Sequence, residues 1–394
     1  MRNYFEFQNS AKINCGEDAA RTLGYELNCY GAKRPFVICS IEVVRSGITD
    51  RALSSLDGGK KGSAVCFDGV PKKTDVEIIR EMKSKFEKEG CDAIVAIGDA
   101  VVLESAKILR TVISQKCDEL VTLSGIYKSL DARIPMVFIP TELTRGVSLN
   151  GMIADGEAFV SSPDMIPNVL IIDREISEKK PLRLLAEGAV YALGNALEAY
   201  IGAEEDDLSE IYAEKAIKLL FKHVVKATER AGDKDAAVGI ALASALAGVA
   251  YGNVPFGKAH ALSEALRDVA GISEEEAMTL SIVATLKTED KLVKERVDKL
   301  IGDFEIVKGE QPQETAESEA ENAETATVEK KSKIEEWVDC LCESAGIINK
   351  ISETTIQREL FGEIAEAAQN KRAAVTSRGA VTKEEFLAIL NAAY

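Results

Sequence analysis

Only two histidines occur in the 394 residues, at positions 223 and 260, and that scarcity limits which chemistry the chain can perform. His260 lies in Phe256-Gly-Lys-Ala-His-Ala-Leu-Ser-Glu264, four residues before Glu264. On a helix this spacing places imidazole and carboxylate on one face. Glu274, in Ile272-Ser-Glu-Glu-Glu276, offers a second carboxylate downstream. An imidazole with two carboxylates is a donor set that can hold a divalent cation. A lone cleft histidine satisfied by hydrogen bonds is the preferred reading. His223 stands among lysines in Phe221-Lys-His-Val-Val-Lys226 and reads as a surface residue with no partner nearby. No further histidine exists to complete a Ser/His or Cys/His couple.

A second constellation follows the apolar run Ala93-Ile-Val-Ala-Ile97, where the chain reads Gly98-Asp99-Ala100-Val101 and then Val-Leu-Glu104-Ser-Ala-Lys107. A glycine turn between a strand and a helix is a place where backbone N–H groups and the helix dipole meet a phosphate. Asp99 sets a carboxylate there, and like charges about 4 Å apart repel by about 1 kcal/mol even in water. At the start of a helix the same residue is a favourable cap. An ordinary α/β loop with Asp capping its helix is the preferred reading.

These residues need a scaffold, and the apolar pattern describes one. Pro35-Phe-Val-Ile-Cys39, Ser63-Ala-Val-Cys-Phe67, Ala93–Ile97 and Met136-Val-Phe-Ile139 read as buried strands. Asp75 to Glu89 and Val101 to Ser114 between them carry apolar residues at helical spacing. That alternation implies βαβ units and a largely parallel sheet. From about Pro181 onward nearly everything reads as helix, including Leu185 to Ile201, Leu208 to Arg230 and Ala236 to Tyr251. The expected fold is a Rossmann-like α/β domain over 1–180 followed by an all-α domain over 181–394. Gly309 to Ser332 has one large apolar residue and seven Glu before its first Lys, which predicts a disordered acidic insertion. Val381-Thr-Lys-Glu-Glu385 reads as a capped helix start.

Composition narrows the function. A net charge of −17 argues against nucleic-acid binding, since phosphate contacts need clustered Lys and Arg. No run approaches the roughly 18 to 20 apolar residues of a membrane helix, and the charged start Met1-Arg-Asn-Tyr-Phe-Glu-Phe lacks a signal-peptide core. The expectation is a cytoplasmic protein with no membrane partner. Eight scattered cysteines without a CxxC pair read as reduced thiols, several within apolar runs.

The order and spacing of short motifs resemble the iron-type (group III) alcohol dehydrogenases along nearly the whole chain. They are Phe5-Glu-Phe with Gly16-Glu-Asp-Ala19, Phe67-Asp-Gly-Val70, Cys91-Asp-Ala-Ile-Val-Ala-Ile-Gly98, Pro140-Thr141 and Pro167-Asn-Val-Leu-Ile-Ile-Asp173. Glu187-Gly-Ala-Val-Tyr-Ala-Leu-Gly-Asn-Ala-Leu-Glu-Ala-Tyr200, Ala247-Gly-Val-Ala-Tyr-Gly-Asn253 and Thr376-Ser-Arg378 complete the set. The resemblance implies an α/β domain that binds NAD or NADP, an all-helical domain carrying iron or zinc, and a homodimer or larger homo-oligomer. It implies cofactor contacts at Ser40, Gly98, Asp99, Ala100, Thr141 and Thr144, the last two in Pro140-Thr-Glu-Leu-Thr-Arg-Gly-Val-Ser148.

The same resemblance sets the metal positions: Tyr191 falls on the family's Asp, Asn195 on its first His, His260 on its second and Glu274 on its third. Glu264 falls on a further cleft histidine. One ligand of four is retained, and of the phosphate loop GGGSxxDxAK only Gly98 and the Ala106-Lys107 pair survive. Two chemically independent sites are therefore altered while the scaffold motifs persist. The expectation is a family member that is catalytically impaired or non-catalytic. The alternative is an active NAD(P)-dependent oxidoreductase of small alcohols or aldehydes with an altered or absent metal site. Tyr191 and Glu264 are the candidate acid or base groups for that alternative.

Overall fold

Short, predominantly apolar runs become strands buried on both faces, as a parallel sheet covered by helices requires. In the computed structural model these are β2 (Pro35–Cys39), β4 (Ala93–Gly98), β5 (Met136–Pro140) and β8 (Val169–Asp173), in which every residue is buried. The structure describes residues 6–56, 64–72, 75–117, 120–125, 134–141, 149, 152–155, 158–177, 181–202, 206–229, 233–254, 257–302, 331–371, 374 and 380–394. Thr144, Arg145, the Thr376–Arg378 motif and positions 309–330 of the expected acidic insertion lie outside them. With edge strands β1 (Lys12–Gly16) and β3 (Val65–Phe67), the six form a parallel sheet in the order β1-β8-β5-β4-β2-β3. A separate antiparallel pair joins β6 (Met152–Asp155) to β7 (Ala158–Ser161).

Two cores flank the sheet. One face packs against α1 (Leu23–Cys29) and α3 (Ile48–Leu53), which follows the short α2 (Ile41–Arg45). The other packs against α4 (Val76–Lys88) and α5 (Ala100–Ser114). The helix after β2 thus covers one face and the helix after β4 the other. Because β2 and β4 are hydrogen-bonded neighbours, with Cys39 opposite Ile97, the sheet reverses its winding between them. Ligands of open α/β sheets bind beyond the carboxyl ends of the strands at such a point.

The change from strands to helices falls between α6 (Arg174–Ser177) and α7 (Leu182–Gly202). α8 (Asp207–Glu229) and α9 (Lys234–Tyr251) follow. The compact units divide later, into Met1–Phe256 and Gly257–Tyr394. The reason is α9, whose Ala245 and Val249 enter the same core as Phe138 and Leu170 of the sheet. α9 is long and apolar enough, by length and composition, to cross a membrane, a candidate that the reading by apolar runs overlooked. Here 67% of it is buried, which is what a core helix shows.

The second unit is built from α10 (Lys258–Ala270), α11 (Glu274–Thr288), α12 (Lys291–Ile301), α13 (Lys333–Ala345), α14 (Phe361–Gln369) and α15 (Lys383–Ala393). Thr382 and Glu385 form the expected capping box at α15, and Ser332 with Glu335 forms another at α13. Trp337 is buried, as its helical spacing predicts. All eight cysteines are free thiols.

His223 is not the surface residue the neighbouring lysines suggest. It is half-buried between α8 and α9, and its ring fills the space that a side chain at Gly239 would need: a Cβ there would stand 2.3 Å from the ring carbon Cγ. Burial first, then Lys222 and Lys226, push its pKa below the ordinary value, with Asp233 and Asp235 opposing. Gly239→Ala is therefore expected to lower the stability of the first unit by about 1–3 kcal/mol through overpacking. Urea unfolding checks this. His223→Ala in the same background should recover part of the loss, and an unshifted midpoint for Gly239→Ala would refute the close packing.

Candidate functional site

Register brings the expected cofactor positions together. Cys39 pairs with Ile97, and Gly98 with Pro140, so β2, β4 and β5 end side by side. Gly98 closes β4, and Ser40, Asp99, Ala100 and Thr141 directly follow these ends, at the point where the sheet changes direction. Thr141, only 4% exposed, extends the ladder by donating its backbone N–H to the Gly98 carbonyl at 2.9 Å.

The local chemistry of this edge is occupied by the chain itself. Asp99 is the N-cap of α5, in extended backbone, and its Oδ1 accepts from the Val102 N–H at 3.0 Å. A helix leaves its first N–H groups without intrahelical partners and carries a partial positive charge at that end. The carboxylate meets both requirements that a phosphate would otherwise meet. Gly98 is retained for a packing reason: a Cβ there would lie 2.6 Å from Val102 Cγ2. Ala100 is buried in the core beneath the turn. Ser40 is the N-cap of α2 but does not cap it with its side chain. Its hydroxyl bonds to Glu42, whose carboxyl is held low first by its own backbone N–H and then by Ser40.

Lys107 belongs to the surviving Ala-Lys pair. It is fully buried on α5, and burial pushes its ammonium down to about 7, with Glu104 opposing and Arg110 adding to the shift. Arg110, also buried, donates to the Asp164 carbonyl and, at 3.1 Å, to that of Ile166, fixing the approach to β8.

The expected metal and acid–base positions fall in both units. In the first, Tyr191 and Asn195 lie four apart on α7, buried at 8% and 1% exposure. A phenol with an ordinary pKa near 10 and a neutral amide are both weak donors for a metal. In the second unit His260 is partly buried on α10, and Glu264 keeps 47% of its side-chain surface exposed. Crowding by protein nonetheless raises the Glu264 carboxyl above its ordinary pKa, while Lys371 and His260 oppose the rise.

Glu274 opens α11 and pairs with Arg267, Nη1 to Oε2 at 3.1 Å. Lys371, just after α14, lies 4.0 Å from Glu264 and hydrogen-bonds to Asp268. Sequence reading missed both cations: Arg267 is separated from Glu274 by the Gly271 helix stop, and Lys371 is distant in the chain. Among the described residues, no group of three or more His, Cys, Asp or Glu side chains is arranged to hold a metal ion. With one carboxylate already on an arginine and the first unit offering only phenol and amide, the residues present do not fit an iron or zinc site.

Family models decide the kinship. The model described as "Iron-containing alcohol dehydrogenase" matches residues 10–174, and that of the family's C-terminal domain matches 185–394. The chain belongs to the iron-containing alcohol dehydrogenase family. It is 26% identical over 256 residues to the NAD-dependent methanol dehydrogenase of Bacillus methanolicus, covering 63% of this chain and 66% of that protein, just under two thirds of it. It is 25% identical over 282 residues to a choline dehydrogenase of Bacillus subtilis (strain 168), covering 69% of this chain and 70% of the relative.

Among solved structures, a 1,3-propanediol oxidoreductase superposes with a TM-score of 0.84 at 20% identity, with 100% of both chains covered. A sulfoacetaldehyde reductase from Bifidobacterium kashiwanohense in complex with NAD+ gives 0.82 at 16% identity, covering 99% of this chain and 98% of that one. These likenesses show the fold: a parallel-sheet N-terminal region followed by a helical C-terminal region.

Capping by Asp99 predicts a specific stability pattern. Asp99→Ala should destabilise the first unit by about 0.5–2 kcal/mol, whereas Asp99→Asn, which keeps the accepting oxygen, should stay close to wild type. Denaturant titration reads both. Equal stability of the alanine variant would show that the cap contributes nothing.

Proposed function

We propose that this family member is impaired in, or has lost, metal-assisted hydride transfer, and that its two units are retained for binding or assembly. The observation that carries the reading is the Asp99 carboxylate on the Val102 N–H, because it fills the helix end that a dinucleotide diphosphate needs and adds a negative charge beside it. The donor set at Tyr191, Asn195, His260 and Glu274 supports the same reading independently. A bound metal would supply a Lewis acid for the substrate oxygen, and an electrostatic contribution of that kind is commonly the largest in such catalysis. The chain's own residues do not reproduce it.

The relatives are named for methanol, choline and lactaldehyde. A small alcohol or aldehyde, with NAD or NADP as the dinucleotide, is accordingly the substrate class against which residual turnover should be measured. Homodimeric or larger assembly is part of the same proposal.

Calorimetric titration of NAD and of NADP into the purified chain, with metal analysis of the same sample, tests the reading. The expected result is no micromolar binding of either cofactor and well under one iron or zinc per chain. Micromolar binding together with about one bound metal would overturn it.

A further inference from the structure

The two carboxylates that stand at the family's histidine positions in the second unit have each acquired a cation. Arg267 of α10 reaches Glu274 at the start of α11, 3.1 Å apart, across the turn at Gly271. Lys371, directly after α14, contacts Glu264 at 4.0 Å and hydrogen-bonds to Asp268, both on α10. Lys371 is largely sheltered, with 24% of its side chain exposed. The two pairs tie α10, the helix that carries His260, to α11 and to the end of α14.

We propose that Arg267 and Lys371 neutralise the carboxylates at these positions, making Gly257–Tyr394 a fold that holds together without metal. The inference deepens the functional reading above and rests on it. His260, Glu264 and Arg267 are spaced i, i+4 and i+7, so they share one face of α10. A divalent cation arriving at that face would meet a guanidinium already there. To gain Glu264 and Glu274 as ligands it would have to break the Arg267–Glu274 pair and draw Glu264 away from Lys371, leaving Arg267 without Glu274 and Lys371 with Asp268 alone. Three carboxylates (Glu264, Asp268 and Glu274) with two protein cations leave a single negative charge, so an added divalent ion meets a face that the chain has already largely neutralised. Guanidinium is also well suited to the task, being permanently charged and able to grip a carboxylate with paired N–H groups.

The test uses the full chain, stripped with EDTA and melted with and without added Zn2+ or Fe2+. The wild-type midpoint is expected to be the same in all three conditions. Arg267→Met and Lys371→Met should each lower it by about 1–4 °C, a range set by the partial exposure of the pairs, while Arg267→Lys and Lys371→Arg should retain most of it. In the double methionine variant, which frees both carboxylates, Zn2+ should raise the midpoint. If that variant fails to fold, Glu264→Gln combined with Lys371→Met supplies the reading instead: the two losses should not add.

Metal-dependent stabilisation of the wild type, or methionine variants as stable as wild type, would overturn the proposal, as would fully additive losses in the Glu264/Lys371 pair. Micromolar cofactor binding with about one bound metal in the separate titration would overturn the functional reading, and the melting of the methionine variants is read independently of it.

Discussion

The N–H groups in the first turn of α5 must find an acceptor, and the rest of the N-terminal region is arranged around that need. Six parallel strands end on one edge, and the sheet reverses its winding between β2 and β4, so the turn after Ile97 faces the place where this architecture receives ligands. A glycine turn would leave the helix end open to an anion from outside. With Asp99 the acceptor is covalently part of the chain and is always present. A phosphate must then compete with a carboxylate that binds intramolecularly, and must also approach its negative charge. Retention of Gly98 does not contradict this, because Val102 leaves no room for a Cβ whatever the loop binds.

The second unit also pairs its charges internally. Where the family resemblance calls for histidines, Glu264 and Glu274 appear, and each is matched by a basic side chain from a neighbouring turn or helix. Each pairing lowers the electrostatic cost of a carboxylate on a partly buried face.

Much of this was legible in the sequence. The buried strands appear as unbroken apolar runs, the helices as 3.6-residue periodicity, and the Asp99 cap and the Thr382/Glu385 box as local spacing rules that act within one turn. What could not be read were contacts between segments distant in sequence. His223 is flanked by lysines and reads as exposed, yet the absence of a side chain at Gly239 on the next helix lets its ring pack inward. Lys371 meets Glu264 only because α14 packs on α10. The packing of α9 against the sheet was likewise hidden, since an alanine-rich helix gives no local sign that it will pack into a sheet.

The most direct measurement is the backbone amide resonance of Val102 during titration with NAD or with inorganic pyrophosphate. That amide donates to Asp99 Oδ1 and would be among the first to respond to a phosphate at the α5 terminus. The account predicts that it stays where it is in the wild type. A saturable shift of Val102 and its neighbours in the first turn of α5, at micromolar ligand, would contradict it.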